Sequence, residues 1–220
     1  MRTTLNFLRL GLKDYKEVLD LQKKLVELRI EDKIEDTIIL VEHPHVYTIG
    51  RKLKAEEHIS NASGIPVIEV DRGGDVTYHG PGQYIAYPII KLQADERDLD
   101  YYLRKLEKIL INTIQKWGIK GIRVKNQTGV WVADRKVASI GIAVKKWVTY
   151  HGLALNVNTD LSFFLNILPC GLDGKVMTSL KEITKRDIKF EDISYYFIKE
   201  CEVEFLGNSR FISLEELIGK

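Results

Sequence analysis

The sequence is short of cysteine, of long apolar runs and of net charge, and each shortage narrows what it can be. It holds two cysteines, Cys170 and Cys201, in 220 residues. Neither sits in a CxxC pattern, so a structural zinc site and a disulfide framework both drop out. No apolar run approaches the roughly 18 residues of a membrane helix. Met1-Arg2-Thr3-Thr4-Leu5 carries no secretory h-region. A cytoplasmic protein with no membrane partner is the expectation. The spacings GxGxxG and GxxxxGK[ST] are both missing, so no nucleotide phosphate loop is indicated. Net charge is only +2, and no nucleic-acid partner is expected.

What is present is a chain of one domain's length with ordinary globular composition, 45% hydrophobic and 29% charged. Residues 1–220 read as a single domain, without repeats or linkers. Charge is unevenly spread. Residues 101–150 carry eleven Lys/Arg against Glu107 and Asp134. A basic middle points to an acidic partner, or simply to a solvated face.

Tyr15, Val18, Leu21, Leu25 and Leu28 recur at helical spacing after Asp14, a candidate N-cap. Leu99, Leu103, Leu106, Leu110, Ile114 and Trp117 mark a second helix, with Asp98 before it and Gly118 after it. Strands are expected at 37–41, 65–70 and 84–90. A hairpin is expected across 129–140 with its turn at Asp134-Arg135. Further strands follow at 142–144 and 147–157, turning near Lys145-Lys146, and a helix lies near 193–200. The mixture lacks regular βαβ alternation and reads as α+β, a mixed or antiparallel sheet with packed helices.

Chemistry concentrates in Arg72-Gly73-Gly74-Asp75-Val76-Thr77-Tyr78-His79-Gly80-Pro81-Gly82-Gln83. Glycines let a ligand approach the main chain closely, so this stretch is either a binding wall or a glycine-rich turn. His43-Pro44-His45 has the look of a metal pair. No other His or Cys stands nearby at ligand spacing, and no metal is expected.

The stretch resembles the signature of the octanoyltransferases of lipoate synthesis, the LipB family. The resemblance continues through Glu42-His43-Pro44, Val46–Arg51, Gly129-Val130-Trp131-Val132, Lys136–Ile142, His151–Val157 and the block from Asp160 to Leu172 that contains Pro169-Cys170-Gly171. His45 departs from it, standing where a second proline is common. The resemblance implies the biotin/lipoate ligase catalytic-domain fold. It implies transfer of an octanoyl group from acyl carrier protein to a lysine of lipoyl domains, those of 2-oxoacid dehydrogenases and the glycine cleavage H protein, through a cysteine thioester. No cofactor is implied. The nucleophile maps to Cys170, its partner to Lys136, and a further catalytic position, orienting Lys136 or the carbonyl, to His79. The acyl site maps to Arg72, Gly73, Gly74, Asp75, Val76, Thr77, Tyr78 and His79, with Ser139, Ile140 and Gly141, and Gly152, Leu153 and Ala154.

The residue chemistry agrees. A free thiol is only about 3% thiolate at pH 7, and an adjacent ammonium raises that share. Cys170 stands between Pro169 and Gly171, where an accessible nucleophile is placed. Cys201 lies in an apolar-periodic stretch and reads as a small buried hydrophobe. The acceptor lysine is roughly 0.04% neutral at pH 7 and needs a base. Once acylation consumes the thiolate charge, Lys136 is free to serve as that base. Without the resemblance, Lys136 reads as a solvated turn lysine. Burying eight carbons supplies up to ~6 kcal/mol. Two alternatives stand: an ATP-dependent lipoate-protein ligase, which needs a nucleotide site and no cysteine, and a non-catalytic lipoyl-domain binding module.

Overall fold

The computed structural model describes residues 4–52, 54–62, 64–168 and 173–219. Cys170 lies outside them. Sixteen regular elements are described: β1 (Thr4–Leu12), α1 (Tyr15–Ile30), β2 (Thr37–Glu42), β3 (Val46–Ile49), β4 (Val67–Glu69), β5 (Val76–His79), β6 (Gln83–Ile89), α2 (Leu99–Gln115), β7 (Ile122–Val124), β8 (Gln127–Val132), β9 (Arg135–Lys145), β10 (Val148–Asn156), α3 (Leu180–Thr184), α4 (Phe190–Phe205), β11 (Asn208–Phe211) and α5 (Leu214–Ile218). The main sheet has eight strands in the order β11-β1-β2-β6-β10-β9-β8-β7. Its β11–β1 and β1–β2 pairs are parallel and the others antiparallel. A second sheet, β4-β3-β5, has three strands. The fold is α+β with a mixed sheet. No described helix is long and apolar enough to cross a membrane.

Both faces of the main sheet are covered. On one, Phe7, Leu40, Tyr84 and Leu155 pack with Leu106 and Leu110 of α2 and Phe197 and Cys201 of α4. On the other, Leu8, Ile39, Ile85 and Tyr87 pack with Val18 and Leu25 of α1 and Leu217 of α5. Successive strand residues point to opposite faces, so a strand covered on both sides must be apolar throughout. This is why β6 is buried at every position. Helix starts follow the sequence. Asp14 accepts from the N–H groups of Lys16 and Glu17, and Asp98 from that of Tyr101. Each satisfies donors the helix leaves open.

Three expectations shift. The hairpin turn sits at Ala133-Asp134, with Ala133 at φ +53°, and not at Asp134-Arg135. Strand β9 runs unbroken to Lys145, and the next turn is Lys146-Trp147, both left-handed. The stretch 65–70 is not a core strand: only Val67–Glu69 is extended, largely exposed at the edge of the small sheet.

Candidate active site

The site arises where β8 parts from β9. Strand β8 pairs with β9 only from Val130–Val132 to Arg135–Ala138. Beyond Ala138, β9 has no strand partner on that side among the described residues. The glycine stretch comes in there instead, and the Gly73 N–H donates to the Ile142 carbonyl at 2.9 Å. A cavity of about 500 Å³ occupies the gap. The register builds its floor: Gly141 stands opposite Gly152, and Ser139 opposite Ala154. Paired residues of antiparallel strands share a face, so four small residues leave room over one patch of sheet.

Of the residues singled out in the sequence, Arg72, Gly73, Gly74, Asp75, Val76, Thr77, His79, Lys136, Ser139, Ile140, Gly141, Gly152, Leu153 and Ala154 all line this cavity. Tyr78 does not. It alternates with Thr77 and His79 along β5 and points into the small sheet's own core, against Tyr47, Phe163 and Phe164. Its hydroxyl meets His45 Nδ1 at 2.7 Å. His43 and His45 bond to different partners, and no metal-holding cluster occurs among the described residues.

Lys136 is a buried wall residue, 5% exposed, rather than a solvated turn lysine. Its Nζ lies 5.9 Å from the centre of the Trp131 ring. Gly129, at φ +128°, makes the fit possible: a Cβ there would stand 2.7 Å from Lys136 Cε and 2.3 Å from the Ala138 carbonyl oxygen. The backbone of Lys136 also fixes the segment that follows Cys170. Its carbonyl accepts from the Thr178 N–H at 2.9 Å, and it forms a parallel bridge with Met177. On the other side of Cys170, the Leu168 N–H donates to the His58 carbonyl at 2.8 Å.

The protonation of His79 can be worked out from its neighbours. Asn156 Nδ2 donates to the Thr178 carbonyl, which leaves Asn156 Oδ1 to accept from Gln83 Nε2 at 2.9 Å. Gln83 Nε2 also donates to the Tyr78 carbonyl. Gln83 Oε1 must then accept, at 2.8 Å, from His79 Nδ1–H. Burial, with help from nearby His43, pushes the His79 pKa down to about 3, so the ring is neutral and Nε2 carries a lone pair. Such a ring accepts hydrogen bonds well and is a weak base.

Asp75 and Arg72 are both held by several hydrogen bonds. Asp75 bonds Lys52 Nζ at 2.7 Å, His58 Nδ1 at 2.7 Å and the Val76 N–H. Burial raises the Asp75 pKa, but these donors outweigh it and hold the carboxyl below the usual range. Arg72 donates to the Thr48 carbonyl and hydroxyl, both at 2.9 Å, and so braces the glycine stretch against β3. Sequence reasoning missed Tyr15, Tyr87 and His151, which also line the cavity. His151, at φ +54°, bonds Asp71 at 2.8 Å. Tyr15 was legible only as a helix-face apolar residue, and Tyr87 only as part of a core strand. His151 opens the block His151–Val157 noted in the sequence, and Asp71, its partner, stands directly before Arg72.

The buried imidazoles give the fold an acid limit. His43, like His79, is lowered by burial, to about 4. An unfolded histidine titrates near 6.5. Below that pH the unfolded chain binds protons that the folded chain refuses. The stability these groups contribute is therefore complete above pH 6.5 and is lost as pH falls toward 3–4. The loss by pH 4 is on the order of a few kcal/mol. Urea midpoints should fall steadily from pH 6.5 to 4, and a flat profile would show that these rings are not held neutral.

Residues 14–202 match the lipoyl protein ligase A/B catalytic domain. The chain is 43% identical over 220 residues to the octanoyltransferase of Caldicellulosiruptor saccharolyticus, spanning 97% of this chain and 94% of that one. It is 46% identical over 191 residues to the octanoyltransferase of Syntrophobacter fumaroxidans, spanning 84% of each. The chain belongs to the octanoyltransferase family. Solved structures extend the family's fold to distant relatives. A lipoate-protein ligase A bound with ATP superposes with a TM-score of 0.75 at 16% identity, covering 97% of this chain and 90% of that one. The biotin protein ligase of Aquifex aeolicus gives 0.52 at 14% identity, covering 94% and 70%. At these identities the likeness is one of fold.

Proposed function

We propose that this octanoyltransferase takes its acyl group from acyl carrier protein, holds it as a thioester on Cys170, and passes it to a lysine of a lipoyl domain. The observation that carries the reading is Lys136, an ionisable side chain set in the wall of the cavity, with its own backbone anchoring Met177 and Thr178, seven and eight residues beyond Cys170. In the first half-reaction the Cys170 thiolate attacks the donor's carbonyl carbon. The C–S bond to the carrier breaks, and the carrier's thiolate takes up a proton. The Lys136 ammonium favours the Cys170 thiolate. In the second, Lys136, left neutral once its proton has gone to the carrier's thiolate, takes one proton from the acceptor ammonium; the free amine attacks the Cys170 thioester and its second proton leaves to solvent. An amide forms, and the Cys170 thiolate is released beside the ammonium that stabilises it.

His79 fits a positioning role. Its Nε2 can accept an N–H, from Lys136 or from the acceptor amine, but has no proton to give a carbonyl. The acyl tail lies over the floor formed by Ser139, Gly141, Gly152 and Ala154. The 2-oxoacid dehydrogenase lipoyl domains and the glycine cleavage H protein are the proposed acceptors.

Intact-mass measurement after mixing with octanoyl carrier protein tests the reading. One octanoyl group should add without ATP or metal, and Cys170→Ala should add none. Labelling of Cys170→Ala, or activity only with free octanoate and ATP, would overturn the thioester route and favour the ligase alternative.

A further inference from the structure

One end of the cavity is rimmed by positive charge that the chemistry above does not use. Leu103 of α2 and residues 125–128, at the β7–β8 turn, line this end. Next to Leu103, Arg104 Nη1 bonds Glu107 Oε2 at 2.6 Å, and Arg123 Nε bonds the same oxygen at 3.0 Å. The other oxygen of Glu107 accepts the Gly129 N–H at 3.1 Å. Two guanidinium groups thus share one fully buried carboxylate, and their side chains are 44% and 41% exposed. Lys125 is exposed and makes no ion pair among the described residues. The local sum is two positive charges in excess: Lys125 lines the cavity itself, and Arg104 and Arg123 lie beside its lining residues Leu103 and Lys125 in sequence. Strand β7 ends the sheet, so no further strand screens them.

We propose that the rim formed by Arg104, Arg123 and Lys125 is the docking surface for the acidic donor carrier, whose acyl thioester arm enters the cavity past Gln127. The inference rests on the donor reading given above. The charge decides between the two substrates. The acceptor presents a lysine ammonium, which this rim repels. The donor presents an anionic protein and an arm that joins it through a phosphodiester, which the rim attracts. Gln127 adds an independent mark: its side-chain oxygen is buried without a hydrogen-bond partner, an acceptor matched to the amide N–H groups of such an arm. The other basic pair, Lys145 at the end of β9 and Lys146 in the turn after it, is a poorer platform. Lys145 is paired with Glu27, and Lys146 lies near Glu31, whose own partner is Lys33.

The test compares two donors at low salt: octanoyl carrier protein and octanoyl-pantetheine, a neutral thioester without protein or phosphate. Lys125→Glu should raise KM for the carrier roughly tenfold more than KM for octanoyl-pantetheine, the scale of steering by rim charges. Arg104→Gln, which leaves Arg123 on Glu107, should move the same ratio in the same direction by less. Added salt should raise the wild-type carrier KM more than that of Lys125→Glu. Equal losses with both donors would reduce the rim to a local packing role and overturn the proposal. So would a KM shift confined to the lipoyl acceptor, or a carrier effect of Lys145→Glu as large as that of Lys125→Glu. Wild-type enzyme acylated by octanoyl-pantetheine but never by the carrier would overturn the donor reading itself, and this surface with it.

Discussion

Cys170→Ser should lose octanoyl transfer by on the order of 10³-fold or more, because a serine hydroxyl beside an ammonium is not usefully ionised. Cys201→Ser should retain transfer. The structure accounts for the Cys201 half of this expectation. Cys201 is fully buried on α4, among the residues that pack that helix against the sheet. Burial, reinforced by Glu200, Glu202 and Glu204, pushes its thiol well above the ordinary range. It is a neutral packing group that no substrate reaches. Its replacement by serine buries a hydroxyl, at a cost of about 1–3 kcal/mol, so a lower melting temperature with near-normal kcat is the expected pattern. A folded Cys201→Ser protein without activity, beside an active Cys170→Ser protein, would reverse the assignment.

The burial of Cys201 was legible in sequence because it lies in an apolar-periodic helix. Helices α1 and α2 were legible for a similar local reason. Asp14, Asp98 and Gly118 mark their ends, and the apolar stripe between them has the helical period. The small sheet was not legible. Its strands are three or four residues long, and β5 lies inside the glycine-rich stretch, where composition argues for a turn. Missing β5 hid the alternation that sends Tyr78 away from the cavity while Thr77 and His79 face it. The expectation that Tyr78 lines the acyl site carried the whole motif over from the resemblance, without that alternation.

The pairing of small residues across β9 and β10 shows the opposite limit. Each of Ser139, Gly141, Gly152 and Ala154 could be picked out in sequence, but not that they stand face to face. That depends on the Lys146-Trp147 turn, which sets the register. A turn at Lys145-Lys146, as expected from sequence, would have misaligned the strands. The burial of Lys136 is likewise a tertiary outcome. It follows from Gly129 on β8 giving way to the lysine stem, and from the 177–178 segment closing over the backbone.

That burial makes Lys136 the place where the two half-reactions can be separated. If Lys136 only stabilises the thiolate, Lys136→Arg should preserve acylation and turnover alike, since the charge is kept. If Lys136 is also the base, Lys136→Arg should stall, because a guanidinium does not give up its proton. The octanoyl-enzyme should then accumulate, visible as one added acyl group by mass, while amide product forms slowly. The fit against Gly129 is close, so a failure of Lys136→Arg to acylate at all would report steric misfit, and Lys136→Met then decides. That variant lacks both charge and base and should be slow in both steps at pH 7. Between pH 7 and 9 an unassisted thiol rises from about 3% to about three-quarters thiolate, and a free lysine from about 0.04% to about 4% amine. Both steps of Lys136→Met should recover over that range. His79 cannot substitute, because burial holds its pKa at about 3 and leaves it too weak a base to draw a proton from an ammonium. Fast turnover of Lys136→Met at pH 7 would therefore remove Lys136 from proton transfer without promoting His79 in its place.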